Sequence, residues 1–104
     1  MDLKFYLSQL SPQYYGDLTV DDTAGGVGFD PALLTWNSQP ARVVRATVEG
    51  GDFRCKEVGV PTAASGDLYG DGDEILVAGE VAIKKFRAIR TGALDATLRY
   101  HVYF

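Results

Sequence analysis

The sequence predicts an all-β protein, an antiparallel β-sandwich of jelly-roll type with little helix. Two observations carry this. The first is the closing stretch Asp95-Ala-Thr-Leu-Arg-Tyr-His-Val-Tyr-Phe104, where Ala96, Leu98, Tyr100, Val102 and Phe104 alternate with Thr97, Arg99, His101 and Tyr103. Alternation with a period of two marks a strand buried on one face. The second is a series of short apolar segments separated by turns, with twelve glycines among 104 residues against an average of about 7%. Short strands punctuated in this way favour two packed sheets. A strand at the end of a sequence is ordered only when tied into a sheet, so the last ten residues are expected to pair with earlier strands.

The remaining elements follow along the chain. Residues 3–10 fit either alternation (Leu3, Phe5, Leu7) or a helical stripe (Leu3, Tyr6, Leu7, Leu10), and Pro12 ends whichever forms. The adjacent rings of Tyr14 and Tyr15 cannot share one strand face, so one of them is expected to reach another surface. Residues 17–20 read as a short strand and 21–26 as a turn. Residues 1–24 are therefore expected to be an edge strand or an N-terminal arm. Asp30-Pro31 offers a helix N-cap followed by proline at the first helical position, making 32–36 one turn of helix or, as the alternative, 33–36 a strand.

After a break at 37–40, residues 41–49 form the clearest strand of the first half. Val44, Ala46 and Val48 share one face, with Arg42, Arg45, Thr47 and Glu49 partly on the other. Gly50-Gly51 predicts a two-residue hairpin turn into a strand over 52–58. Residues 59–74 read mostly as loop, of a length that suits a crossing between sheets. Strands over 75–78, 80–83 and 86–90 follow, then a turn at Thr91-Gly92. No repeat or linker divides the chain, so residues 1–104 are expected to form a single β-sandwich domain.

Composition narrows the function classes. The chain is 46% hydrophobic and 23% charged, with a net charge of -4 and no basic run. Such a field does not favour nucleic acid or an anionic membrane face. No apolar run approaches the ~18 residues of a membrane span, and no apolar h-region marks a signal peptide. Cys55 is the only cysteine, which excludes an intrachain disulfide and a thiolate-rich metal site. In step with Phe53 and among charged neighbours, it reads as a small buried hydrophobe.

Candidate chemical groups are few. Asp67, Asp71, Asp73 and Glu74 gather four carboxylates in an eight-residue glycine-containing loop that calcium could use. Their spacing departs from the Asp-x-Asp-x-Asp-Gly pattern, so a solvated acidic turn, with no metal or cofactor, is expected. His101 lacks an orienting partner in the sequence, and Ser8, Ser11, Ser38 and Ser65 lie in no nucleophile-elbow context. No enzyme is expected. Arg42, Arg45, Arg54, Lys56, Lys84, Lys85, Arg87, Arg90 and Arg99 fall on expected strands, where cross-strand ion pairs are the usual outcome. Tyr14, Tyr15, Trp36 and Tyr69 read as loop aromatics able to anchor a protein partner or stack on a sugar.

The order of segments over residues 41–104 resembles that of small bacteriophage virion accessory proteins, of the head decoration, cement or head-fibre kind. The segments are Ala-Arg-Val-Val-Arg-Ala-Thr-Val-Glu49, Val-Pro-Thr-Ala-Ala-Ser-Gly66, the Gly-Asp-Gly-Asp-Glu loop, Phe-Arg-Ala-Ile-Arg-Thr-Gly92 and the closing aromatic strand. The first forty residues match less well. The resemblance implies a non-enzymatic structural component of a virion, assembled in the host cytoplasm. Its partners would be the major capsid protein or other virion subunits, and it would be a trimer or dimer with no nucleic-acid or membrane partner. Tyr14, Tyr15, Trp36 and Arg99 are the candidate interface residues. The alternative is a carbohydrate- or receptor-binding module using Trp36, Tyr69 and the carboxylates of residues 67–74, with calcium assisting.

Overall fold

The period-two segments of the sequence become strands whose apolar sides meet in one shared core. A computed structural model describes residues 7–104 of the chain. Its strands are β1 (Pro12–Val20), β2 (Thr35–Trp36), β3 (Gln39–Pro40), β4 (Val43–Gly50), β5 (Phe53–Lys56), β6 (Asp67–Tyr69), β7 (Glu74–Ala78), β8 (Arg87–Arg90) and β9 (Ala96–Tyr103). A single 3₁₀ turn covers Pro31–Leu33 and a short helix, α1, covers Glu80–Lys85. One sheet has the order β1-β9-β4-β7 and the other β6-β5-β8, while β2 and β3 make a separate two-stranded hairpin. Every pairing is antiparallel. The fold is all-β and sandwich-like, as the sequence predicts.

β9 lies at the centre. Its Ala96, Leu98, Tyr100 and Val102 are buried, and opposite them β4 buries Val44, Ala46 and Val48. Phe53 and Cys55 of β5 and Ala88 of β8 join the same core from the second sheet. Phe29, Leu34, Ile83 and Phe86 complete it from the connections, with the Phe29 and Phe86 rings stacked at 4.6 Å. At about 25 cal/mol per Å², each such aliphatic or aromatic side chain contributes roughly 1.5–3 kcal/mol by leaving water.

The sheets are interleaved in sequence. From β1 the chain passes to the second sheet, where Val27 bridges Ala88 of β8, and returns to the first at β4. It crosses again between β4 and β5, between β6 and β7, and on each side of β8.

This interleaving overturns several local expectations. Gly50-Gly51 is not a hairpin turn, because β4 pairs with β7 and β9 whereas β5 pairs with β6 and β8. The glycines form a corner between sheets. Gly50 has φ +94, and a Cβ at Gly51 would run into the Leu94 carbonyl, so close backbone approach requires both. The crossing expected over 59–74 is made only by its last residues, since β6 within it stays in the sheet of β5. Residues 80–83 are helical rather than extended. α1 buries Ile83 and spans its exposed side with a Lys84–Glu80 ion pair of 2.9 Å.

Near the N-terminus, β1 is longer than the strand expected over 17–20, and Tyr14 and Tyr15 lie within it rather than in a loop. Residues 3–6 of the ambiguous segment fall outside the described residues; Leu7 and Ser8 are helical. Asp30 caps the 3₁₀ turn by accepting from the Ala32 N–H at 3.0 Å, and β2 follows at once, so both readings of 32–36 hold in part. The expected break at 37–40 is a hairpin turn, with φ of 51 at Asn37 and 61 at Ser38.

Candidate interaction face

The outward side of the β1-β9-β4-β7 sheet brings together two of the four expected interface residues, Tyr15 and Arg99. Strand register sets its rows. Tyr15, His101, Arg45 and Leu76 stand side by side, and next to them Asp17, Arg99, Thr47 and Glu74. Residues directly opposite in antiparallel strands share a face, so both rows lie on the side opposite the buried Leu98 and Tyr100.

Arg99 is the hub. Its Nε donates to Glu49 Oε2 at 2.9 Å, and its Nη1 lies 3.1 Å from Asp17 Oδ1, so it ties β9 to both neighbouring strands. Its pKa is raised, first by the hydrogen bond to Glu49 and then by that to Tyr15. Tyr15 is 50% exposed and meets the His101 ring edge-on at 5.1 Å. On the same side Arg45 Nε donates to the Tyr103 hydroxyl at 3.2 Å. Ion pairs this exposed are screened by solvent, so they orient the side chains more than they stabilise the fold.

Tyr14 and Trp36 belong elsewhere. Tyr14 sits edge-on to Phe104 at 5.9 Å, and Trp36 of β2 lies 6.0 Å from the same ring. They form an aromatic cluster at one end of the sheet, with Trp36 37% exposed. Of the four expected interface residues, Tyr15 and Arg99 therefore share a face while Tyr14 and Trp36 bracket Phe104. Tyr69 is on β6, stacked on Phe53 at 5.9 Å, and no ring contact joins it to Trp36. The partners missed in the sequence are Asp17 and Glu49. Their signal is only an opposite charge on an adjacent strand, invisible until the order β1-β9-β4 is known.

The carboxylates of residues 67–74 do not converge. Asp71 accepts from the Gly50 N–H at 3.1 Å and Asp73 from the Gly70 N–H at 2.8 Å, so both serve the corner where the chain changes sheets. No group of three His, Cys, Asp or Glu side chains suited to a metal exists among the described residues. Cys55 is buried, and burial pushes its thiol up to about 12, far from a thiolate nucleophile at neutral pH. Burial also raises the Tyr100 hydroxyl.

The expected ion pairs are confined to Arg90, Arg99 and Lys84 among the described residues. Arg54 and Arg87 instead donate to backbone carbonyls, Arg54 to Gly66 at 2.8 Å and Arg87 to Phe86 at 2.6 Å. A cavity of about 390 Å³ opens between the 3₁₀ turn and α1, lined by Phe29, Pro31, Leu34, Thr35, Lys84 and Arg87. Lys84 and Arg87 give that lining two cationic side chains and no carboxylate. No described helix is long and apolar enough to cross a membrane. No protein-family model, curated protein or solved structure matches the chain.

Proposed function

We propose that the protein is a non-enzymatic structural component of a bacteriophage virion, a decoration or cement protein that binds the assembled head shell. The observation that carries this reading is the outward sheet face, where half-exposed Tyr15 and Arg99 stand together, oriented by Asp17, Glu49 and His101. Tyrosine and arginine held in fixed geometry are the usual anchors of a protein interface. A four-stranded sheet face suits a broad contact, and a standard interface needs about 800 Å² from each partner.

Two further features support it. Counting the Val27 bridge as a short eighth strand, the interleaved order supports a jelly-roll reading, an architecture that viral capsid proteins use. The segments over 41–104 also resemble head decoration proteins.

Co-sedimentation with undecorated capsids tests the reading. The protein should pellet with capsids, and Tyr15→Ala or Arg99→Ala should weaken binding by at least about 30-fold, the cost of losing an anchor of 2 kcal/mol or more. Failure to pellet, or full binding by both variants, would exclude this face as the attachment surface.

A further inference from the structure

β1 is the edge of its sheet, and the backbone pairing shows which of its groups are free. Ser11 and Phe104 exchange both of their backbone bonds at 2.9 Å, while the Tyr103 carbonyl accepts from Arg42 of the next strand at 2.8 Å. Even-numbered residues of β9 therefore turn their backbone groups toward β1 and odd-numbered ones toward β4. By register, Tyr14, Gly16, Leu18 and Val20 bond to β9. Tyr15, Asp17 and Thr19 direct their N–H and C=O groups to the open side, where no described residue bonds to them. Only at Asp21 is that side used, by the Arg90 N–H at 3.0 Å.

Sheet edges are normally blunted by lysine, proline, a bulge or shortness. β6 and β7 are short, with three and five residues. In β1, Pro12 and the register shift before Tyr14 protect one end, and among the described residues no lysine, second proline, further bulge or covering strand protects Tyr14 to Val20.

We propose that two copies of this chain pair antiparallel through β1 about a two-fold axis at Gly16, fusing their sheets into one of eight strands. The free groups belong to odd-numbered residues, so odd must face odd across the axis. Centring on Asp17 would set the two carboxylates against each other, which is unfavourable. Centring on Tyr15 would leave Asp17 facing glutamine. Centring on Gly16 places Tyr15 beside the partner's Asp17, twice, where a phenol can donate to a carboxylate that already holds Arg99 at 3.1 Å. On the inner side the same register sets Tyr14 against the partner's Leu18, covering two side chains that the monomer leaves partly exposed at the border of its core.

This pairing does not rest on the capsid reading; it is read from pure protein, and capsid binding is read separately. Light scattering should give twice the 11.3 kDa of one chain. In the same sample, amide exchange should protect Tyr15, Asp17 and Thr19 as well as Tyr14, Gly16 and Leu18. A filtered NOE in a mixed-labelled dimer should join the Gly16 α protons of the two copies. Thr19→Pro removes a free-edge N–H and no β9 bond, and should give a folded monomer with the capsid-facing residues intact. A monomer at every concentration, or a dimer in which Tyr15, Asp17 and Thr19 exchange as free amides, overturns the proposal. If Thr19→Pro fails to fold, the exchange pattern of the unmodified protein decides.

Discussion

Gly16 has no side chain because Tyr100 occupies the space. A Cβ at Gly16 would lie 2.5 Å from Tyr100 Cζ, 2.6 Å from its hydroxyl and 2.9 Å from Leu33 Cδ1. Optimal carbon separations are about 3.5–4.0 Å, so Gly16→Ala forces a shift of roughly 1 Å. The Tyr100 ring has little room to give: it is buried, tilted against Phe29 at 4.8 Å, and Phe29 is stacked on Phe86. Its hydroxyl also accepts from the Asp30 N–H at 3.4 Å. In an unobstructed extended strand, alanine would gain about 0.4–1 kcal/mol by stiffening the unfolded chain. Overpacking costs about 1–3 kcal/mol; with three atoms inside 3.0 Å the upper end applies, and after the alanine gain a net loss of about 2 kcal/mol is expected. That corresponds to a fall in Tm of roughly 10 °C for a domain of this size. Urea unfolding followed by circular dichroism and by the fluorescence of Trp36 measures it. Tyr100→Leu removes the far end of the ring, and in that background Gly16→Ala should cost less than alone. A Gly16→Ala protein within about 0.5 kcal/mol of the parent would refute the account of this pair.

Other outcomes follow from the same packing. Tyr14→Ala should lose about 1–3 kcal/mol by removing a ring from the Phe104 cluster, whereas Tyr15→Ala should change stability by less than about 0.5 kcal/mol; denaturant titration of both separates packing from surface. Gly51→Ala should cost about 1–3 kcal/mol from its clash with Leu94, while Gly72→Ala, with open space around it, should cost only the about 1–2 kcal/mol of a left-handed backbone. Cys55 binds a proton more tightly when folded, so the unfolded state releases its proton first and stability falls as pH rises from 9 toward 12. The loss is on the order of 4 kcal/mol at most, and Cys55→Ala should flatten that part of a pH series of urea melts. Asp30→Ala should cost about 1 kcal/mol through its lost cap, readable as a lower Tm.

The alternation of β9 and β4 was legible because each strand buries one side and wets the other, which fixes face as well as type. Cys55 was legible for the same reason, in step with Phe53. What failed was information that resides between distant residues. Glycines at 50 and 51 announce positive φ and close approach, and these serve a corner as well as a hairpin; only the pairing of β4 with β9 decides. Val81 and Ile83 mimic a strand, although Glu80 and Lys84, four apart, carried the helical signal. Asn37-Ser38 likewise held a hairpin preference that the flanking two-residue strands were too short to advertise. At the interaction face, Tyr15 and Arg99 were visible as residue types. Their meeting depends on a β1–β9 register across some eighty residues of sequence.

The central position of β9 has a consequence for how the protein is made. β1 and β4 are both synthesised long before the strand that joins them, and neither pairs with the other. Until β9 has left the ribosome, the first sheet exists only as the β4–β7 pair, and β1 has no strand neighbour among the described residues. Its Tyr14 and Leu18 are then open to any passing strand. Pairing at such separation is intrinsically slow, so the nascent chain has an interval in which chaperones, or premature contacts with other copies, compete for β1. Synthesis rate and yield of folded protein are thereby linked through a single strand.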